Sequence, residues 1–148
     1  VRPDGAGLSA LFPCKPTGAA RHLALAGTTV EMKLHACSAG DVTYAAGFAD
    51  VGQPLKVEPA LAELSTAAAR NIGSTAPSAV APLRIVGMTP NPRAGRQALF
   101  GQLGDGRQVE VQMALFVRGT RVFQATMVGA RLDADAIETF FGSLKLQP

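Results

Sequence analysis

Tryptophan is absent from this chain of 148 residues, tyrosine occurs once, and aromatics make up only 5%. A nucleic-acid surface built on basic side chains interleaved with stacking aromatics is therefore disfavoured. The fourteen Lys and Arg are spread along the chain from Arg2 to Lys145 rather than clustered, and the net charge is only +3. Long hydrophobic runs are also missing: none approaches the roughly 20 residues a membrane-crossing helix needs. Charged residues are scarce at 17%, against 47% hydrophobic. That balance excludes a disordered chain and gives a globular one. No Gly-x-Ser-x-Gly elbow, no phosphate loop and no dinucleotide fingerprint occurs. Gly101, Gly104 and Gly106 have the wrong spacing for that fingerprint and read as turn glycines. The chain begins at Val1 without Met, so a processed or trimmed N-terminus is expected. Residues 1–7, rich in Gly and polar groups, read as a flexible lead-in to a single domain over 8–148.

What is present is concentrated in Arg107–Leu146. Val109, Val111, Met113, Leu115 and Val117 alternate with Gln108, Glu110, Gln112, Ala114 and Phe116, the period of two of a pleated strand. Gly119-Thr120 suits a two-residue turn with glycine first. That register sets Val117 opposite Val122 and Phe116 opposite Phe123. Apolar pairs on both faces predict a sheet covered on both sides. Asp133 is placed to cap a helix whose Ile137, Phe140, Phe141 and Leu144 share one face, lying down on the preceding hairpin.

The upstream chain reads as strand Leu8–Phe12, a hairpin of Arg21–Ala26 with Thr29–Ser38 around Gly27-Thr28, and strand Val42–Asp50 bearing Tyr44, Ala46 and Phe48 on one face. A helix follows, with Pro59 at its first position, Leu61, Leu64, Ala68 and Ile72 as its stripe, and Gly73 as a left-handed end. Ser74–Pro82 reads as loop, Leu83–Val86 as a brief strand and Arg96–Leu103 as another. The fold class expected is α+β: a mostly antiparallel sheet flanked by two main helices.

Several of these stretches carry a family likeness. They are Phe-Pro-x-Lys-Pro at Phe12–Pro16, the Tyr44 strand, Asn-Ile-Gly closing the first helix, Gly95-Arg96, and the RGTRVFQATMVG hairpin leading to Phe-Phe-Gly-Ser-Leu-Lys-Leu. Together they resemble small bacterial extracytoplasmic proteins, often lipoproteins, whose fold is like that of the PsbP and Mog1 group, an α/β/α sandwich. The resemblance covers roughly Leu8–Leu146. It implies a periplasmic or outer-envelope location and a non-enzymatic role in binding a protein or envelope component. Members of the wider fold group bind a photosystem assembly or a small GTPase, but no contact motif carries either role onto this chain. Fold alone does not fix function.

Chemistry-bearing side chains are few. Cys14, His22, His35 and Cys37 are residue types that zinc prefers. They fit no compact ligand spacing, and Lys33 sits among them. A Cys14–Cys37 disulfide is the expectation for an extracytoplasmic chain; ordinary buried thiols in a cytoplasmic one, a metal site and a Cys–His nucleophile are the alternatives. With Gly27-Thr28 as the loop, His22 stands opposite Lys33 and diagonal to His35. Asp133, Asp135 and Glu138 complement the positive end of a helix dipole. Neither catalytic residue nor cofactor is assigned. The residues nominated for partner contact are Met88, Asn91 and Arg93, in the Pro-stiffened loop Gly87–Ala94, and Arg118 and Arg121, flanking the hairpin turn. The other functional readings are a small-molecule carrier, with a pocket between sheet and helix lined by Phe48, Phe100 or Phe116, and an enzyme of unrecognised type around His22 or His35.

Overall fold

The computed structural model describes residues 7–73, 81, 83–91 and 93–146. All but Gly7 of the flexible lead-in expected over residues 1–7, and all but Ala81 of the loop expected over 74–82, lie outside the described residues. The chain order is β1 (Leu8–Ser9), β2 (Thr17–Leu25), β3 (Thr28–Ala39), β4 (Val42–Asp50), α1 (Val57–Asn71), β5 (Gly95–Gln102), β6 (Gln108–Arg118), β7 (Arg121–Gly129), α2 (Ala134–Gly142) and β8 (Lys145–Leu146). Six strands form one antiparallel sheet in the order β2-β3-β4-β7-β6-β5, and β1 pairs with β8. The class is α+β.

Tight turns build two meanders, and the β4–β7 pairing joins them, with Ala46 opposite Ala125 and Phe48 opposite Phe123. The β6–β7 hairpin has the expected register: Val117 pairs with Val122 and Phe116 with Phe123. Gly119 takes φ +61 at its turn. Because side chains alternate, these central strands are buried on both faces. Val109, Val111, Met113, Leu115 and Val117 belong to one core with α1. Ala114, Phe116, Phe123, Ala125 and Met127 belong to the other, with α2, Phe12 and the β1–β8 pair.

α1 begins at Val57, two residues before the expected Pro59, after a 3-10 turn over Pro54–Lys56. Pro54 fills the first position of that turn, while Pro59 sits in the first turn of α1, where a missing N–H costs nothing. Leu61, Leu64 and Ile72 are buried as the stripe predicts, with Ala68 packed at its margin. Gly73 has the left-handed φ of +65.

α2 is capped as expected, Ala136 N–H donating to Asp133 Oδ2 at 3.0 Å. Asp133→Ala should lower stability by about 1 kcal/mol, read as a smaller urea midpoint at unchanged slope. The helix packs less narrowly than on its own hairpin. Phe140 meets Tyr44 of β4 at 5.3 Å and Phe12 of the N-terminal segment at 5.5 Å, both edge to face.

Three local expectations are corrected. The first hairpin turns at Ala26-Gly27, with Leu25 opposite Thr28, so His22 faces Glu31 instead of Lys33. Ala26 adopts φ +52, which frees Thr28 to begin β3; a non-glycine residue in that region gives little sequence signal. Leu83–Val86 is no strand, although Val86 bridges Lys145 and accepts from Leu146 N–H at 2.9 Å. Gly101 is not a turn glycine: it lies inside β5 beneath the end of α1. A Cβ there would sit 2.0 Å from the Ile72 carbonyl oxygen, which accepts the Gln102 N–H at 2.8 Å. Gly101→Ala should therefore cost about 1–3 kcal/mol through overpacking, measurable by urea unfolding.

Candidate functional site

The β6–β7 turn, the loop after Ile85 and the end of β4 are tied into one surface. Thr89 joins the first two: its N–H donates to Val117 O at 2.7 Å, and its Oγ1 accepts the Gly119 N–H at 3.0 Å. Thr120 joins the third: its hydroxyl donates to Asp50 Oδ1 at 2.8 Å, and its carbonyl accepts the Val51 N–H at 3.0 Å. A hydroxyl on each side of the turn thus fixes a tip that would otherwise project freely.

This end of the sheet carries Arg118, Arg121 and the carboxylate Asp50 on its α2-side face, in line with Phe116, Phe123 and Phe48. Arg93 and Glu58 lie on the opposite face, beside α1. Arg93 Nε lies 3.1 Å from Glu58 Oε1, at the start of α1. Arg121 Nε is 3.9 Å from Asp50 Oδ2, and its guanidinium rests 6.0 Å from the centre of the Phe48 ring. Such exposed pairs contribute at most about 1 kcal/mol each, so their guanidinium groups can be recruited by another anion at small cost.

Of the five residues nominated for contact, the structure separates two roles. Arg93 and Arg121 are exposed and Arg118 half-buried. Met88 is half-buried against the α2-side core, and its sulfur accepts the Ile85 N–H at 3.2 Å. Asn91 Oδ1 accepts the Arg93 N–H at 2.9 Å, closing a local turn. These two residues shape the loop, while the arginines face outward. Thr89 is not among the residues nominated from sequence: a lone threonine before a proline carries no signal that its partner is a hairpin 28 residues downstream.

The cysteine–histidine group resolves differently. Cys14 and Cys37 form a disulfide, Cα–Cα 6.0 Å. His35 pairs with Gly18 and His22 with Glu31, which separates the two histidines by four positions along their strands. At about 3.3 Å per residue, they are not the diagonal neighbours expected. The His35 imidazole leans across Gly18, where a Cβ would meet its Nε2 at 3.3 Å. Its Nδ1 is buried with no hydrogen-bond partner among the described residues. Nor do three or more His, Cys, Asp or Glu come close enough among the described residues to hold a metal ion.

Phe48 and Phe116 are core residues, both packed on Phe123. Phe100 is 63% exposed. It walls an open groove of about 430 Å³ with Gln102, Gln108, Glu110 and Arg131. Glu110 is committed within its wall, accepting from Gln112 Nε2 at 2.8 Å. In the adjoining β5–β6 turn, the Arg107 backbone N–H and guanidinium hold the Asp105 carboxyl below its ordinary range. No helix among the described residues is long and apolar enough to cross a membrane.

No protein-family model, curated protein or solved structure matches this chain.

Proposed function

We propose that this protein is a non-enzymatic extracytoplasmic module, of the PsbP and Mog1 kind in its helix–sheet–helix layering, that binds a protein partner through the arginine-bearing end of its sheet. The observation carrying this reading is the Thr89–Gly119 and Thr120–Asp50 bonding, which holds Arg118 and Arg121 on a rigid platform. Pre-organised side chains lose less conformational freedom on binding than those on a loose loop. Planar guanidinium groups favour a carboxylate-bearing partner surface. Support for an extracytoplasmic setting comes from the Cys14–Cys37 disulfide, since disulfides persist in oxidising compartments.

Reversing charge at all three positions, Arg93→Glu, Arg118→Glu and Arg121→Glu, should lower recovery of the protein's partner from envelope extract by at least about tenfold, because like charges would then oppose each other. Unchanged recovery with an intact thermal melt would remove this surface from the account. A second reading, carriage of a small polar ligand, rests on the Phe100 groove, where an exposed ring stands beside two amides. Loss of ligand with Phe100→Ala but not with the triple reversal would favour it.

A further inference from the structure

The two edges of the sheet are treated differently. At β5 the chain covers its own edge: Arg96 exchanges both backbone hydrogen bonds with Ala81, at 2.8 and 2.9 Å, and Gln102 N–H is taken by Ile72 O. At β2 nothing comparable occurs among the described residues. Thr17–His22 is exposed at every position, so this stretch stands clear of both helices as well as being open at its side. Native edges are usually protected by charge, proline, a bulge or a cover. Here the stretch reads Thr-Gly-Ala-Ala-Arg-His, pairs with β3 without interruption, and has one formal charge.

We propose that β2 is the pairing surface for a second copy of this chain, added antiparallel about a two-fold axis at Ala20 to make a continuous sheet. The turn at Ala26-Gly27 makes Leu25 and Thr28 a hydrogen-bonded pair. Alternation then points the N–H and C=O groups of Gly18, Ala20 and His22 outward. Centred on Ala20, the ladder sets Ala20 against Ala20 of the second copy and Gly18 against its His22, with roughly six backbone hydrogen bonds.

Side chains agree with that register. Ala19 falls opposite Arg21 of the second copy, which keeps the two arginines out of direct opposition. A shift of one residue per copy would place them face to face, a destabilising pair. Each His22 lies beside Gly18 of the other copy, over which that copy's own His35 ring leans. Pro16, lacking an N–H, ends the ladder beyond Gly18. Because the other edge is already covered at Arg96 and Gln102, growth stops at two copies and does not run on into a fibre. The contact is below standard interface size, so association should be weak, with a midpoint on the order of 100 μM.

Sedimentation equilibrium of the full chain up to about 1 mM tests this directly. Expected is a monomer–dimer equilibrium that Ala20→Glu abolishes by bringing two carboxylates together, with circular dichroism unchanged. Under mild oxidation Ala20→Cys should cross-link to itself, since paired Cα atoms about 5.5 Å apart lie within disulfide range. His22→Cys, facing Gly18, should not cross-link, and peptide mapping would check that Cys14–Cys37 stays intact. A wild-type chain monomeric throughout, a dimer that survives Ala20→Glu, or cross-linking through His22→Cys would overturn the proposal.

Discussion

Phe140→Ala is expected to destabilise the protein by about 3–5 kcal/mol, the usual cost of emptying a closed aromatic site. Phe140 is 1% exposed and is held edge to face by Phe12, Tyr44 and Phe141. Its neighbours come from the N-terminal segment, β4 and α2 itself, elements that cannot close together around a void. The same change at Phe141 should cost less. That ring is buried beneath the Arg96 guanidinium, 4.8 Å from its centre, and this side chain can settle into part of the space. Urea unfolding of the two variants checks both expectations. A near-neutral Phe140→Ala would mean that α2 is not docked as described.

Reducing the Cys14–Cys37 disulfide should cost about 3 kcal/mol in the chain-entropy model. The bond spans 23 positions and ties the segment after β1 to β3. Total stabilities of about 5–15 kcal/mol make that a large share. Its loss also releases the chain that carries Phe12 onto Phe140, so the two large effects are coupled and should add less than independently. Cys14→Ser with Cys37→Ser should lower the urea midpoint as reductant does for the native chain, and reductant should have no effect on the double variant. Two freely alkylated thiols in freshly purified, unreduced protein would contradict the bond.

Much of the C-terminal half was legible in the sequence because its signals agree with one another. Strand alternation, a glycine-first turn and a capped helix all point to the same hairpin and helix, and each is local. The β4 strand was legible for the same reason, with Tyr44, Ala46 and Phe48 on one face. The first hairpin turns one position earlier than its sequence suggests. Ala26 adopts a backbone conformation that Gly27 alone announces, and that shift moved His22 two positions along its partner. The role of Gly101 is not legible, because a close approach between β5 and the end of α1 is a long-range event that leaves no local pattern. The candidate surface was half legible: arginines flanking a turn are visible in sequence, whereas the hydroxyl bonds from Thr89 and Thr120 that hold them are not. Met88 and Asn91 belonged to the right loop but point their polar atoms into its own backbone.

Site-specific photo-cross-linking in envelope extract tests the central claim most directly. A photoreactive residue in place of Arg121 should give one discrete adduct with another protein, and the same group in place of Thr66, exposed on α1, should give none. Competition by unlabelled wild-type protein should erase that adduct, while the Arg93, Arg118 and Arg121 triple reversal should not compete. No adduct from position 121, or the same adduct from both positions, would contradict a partner site at this end of the sheet.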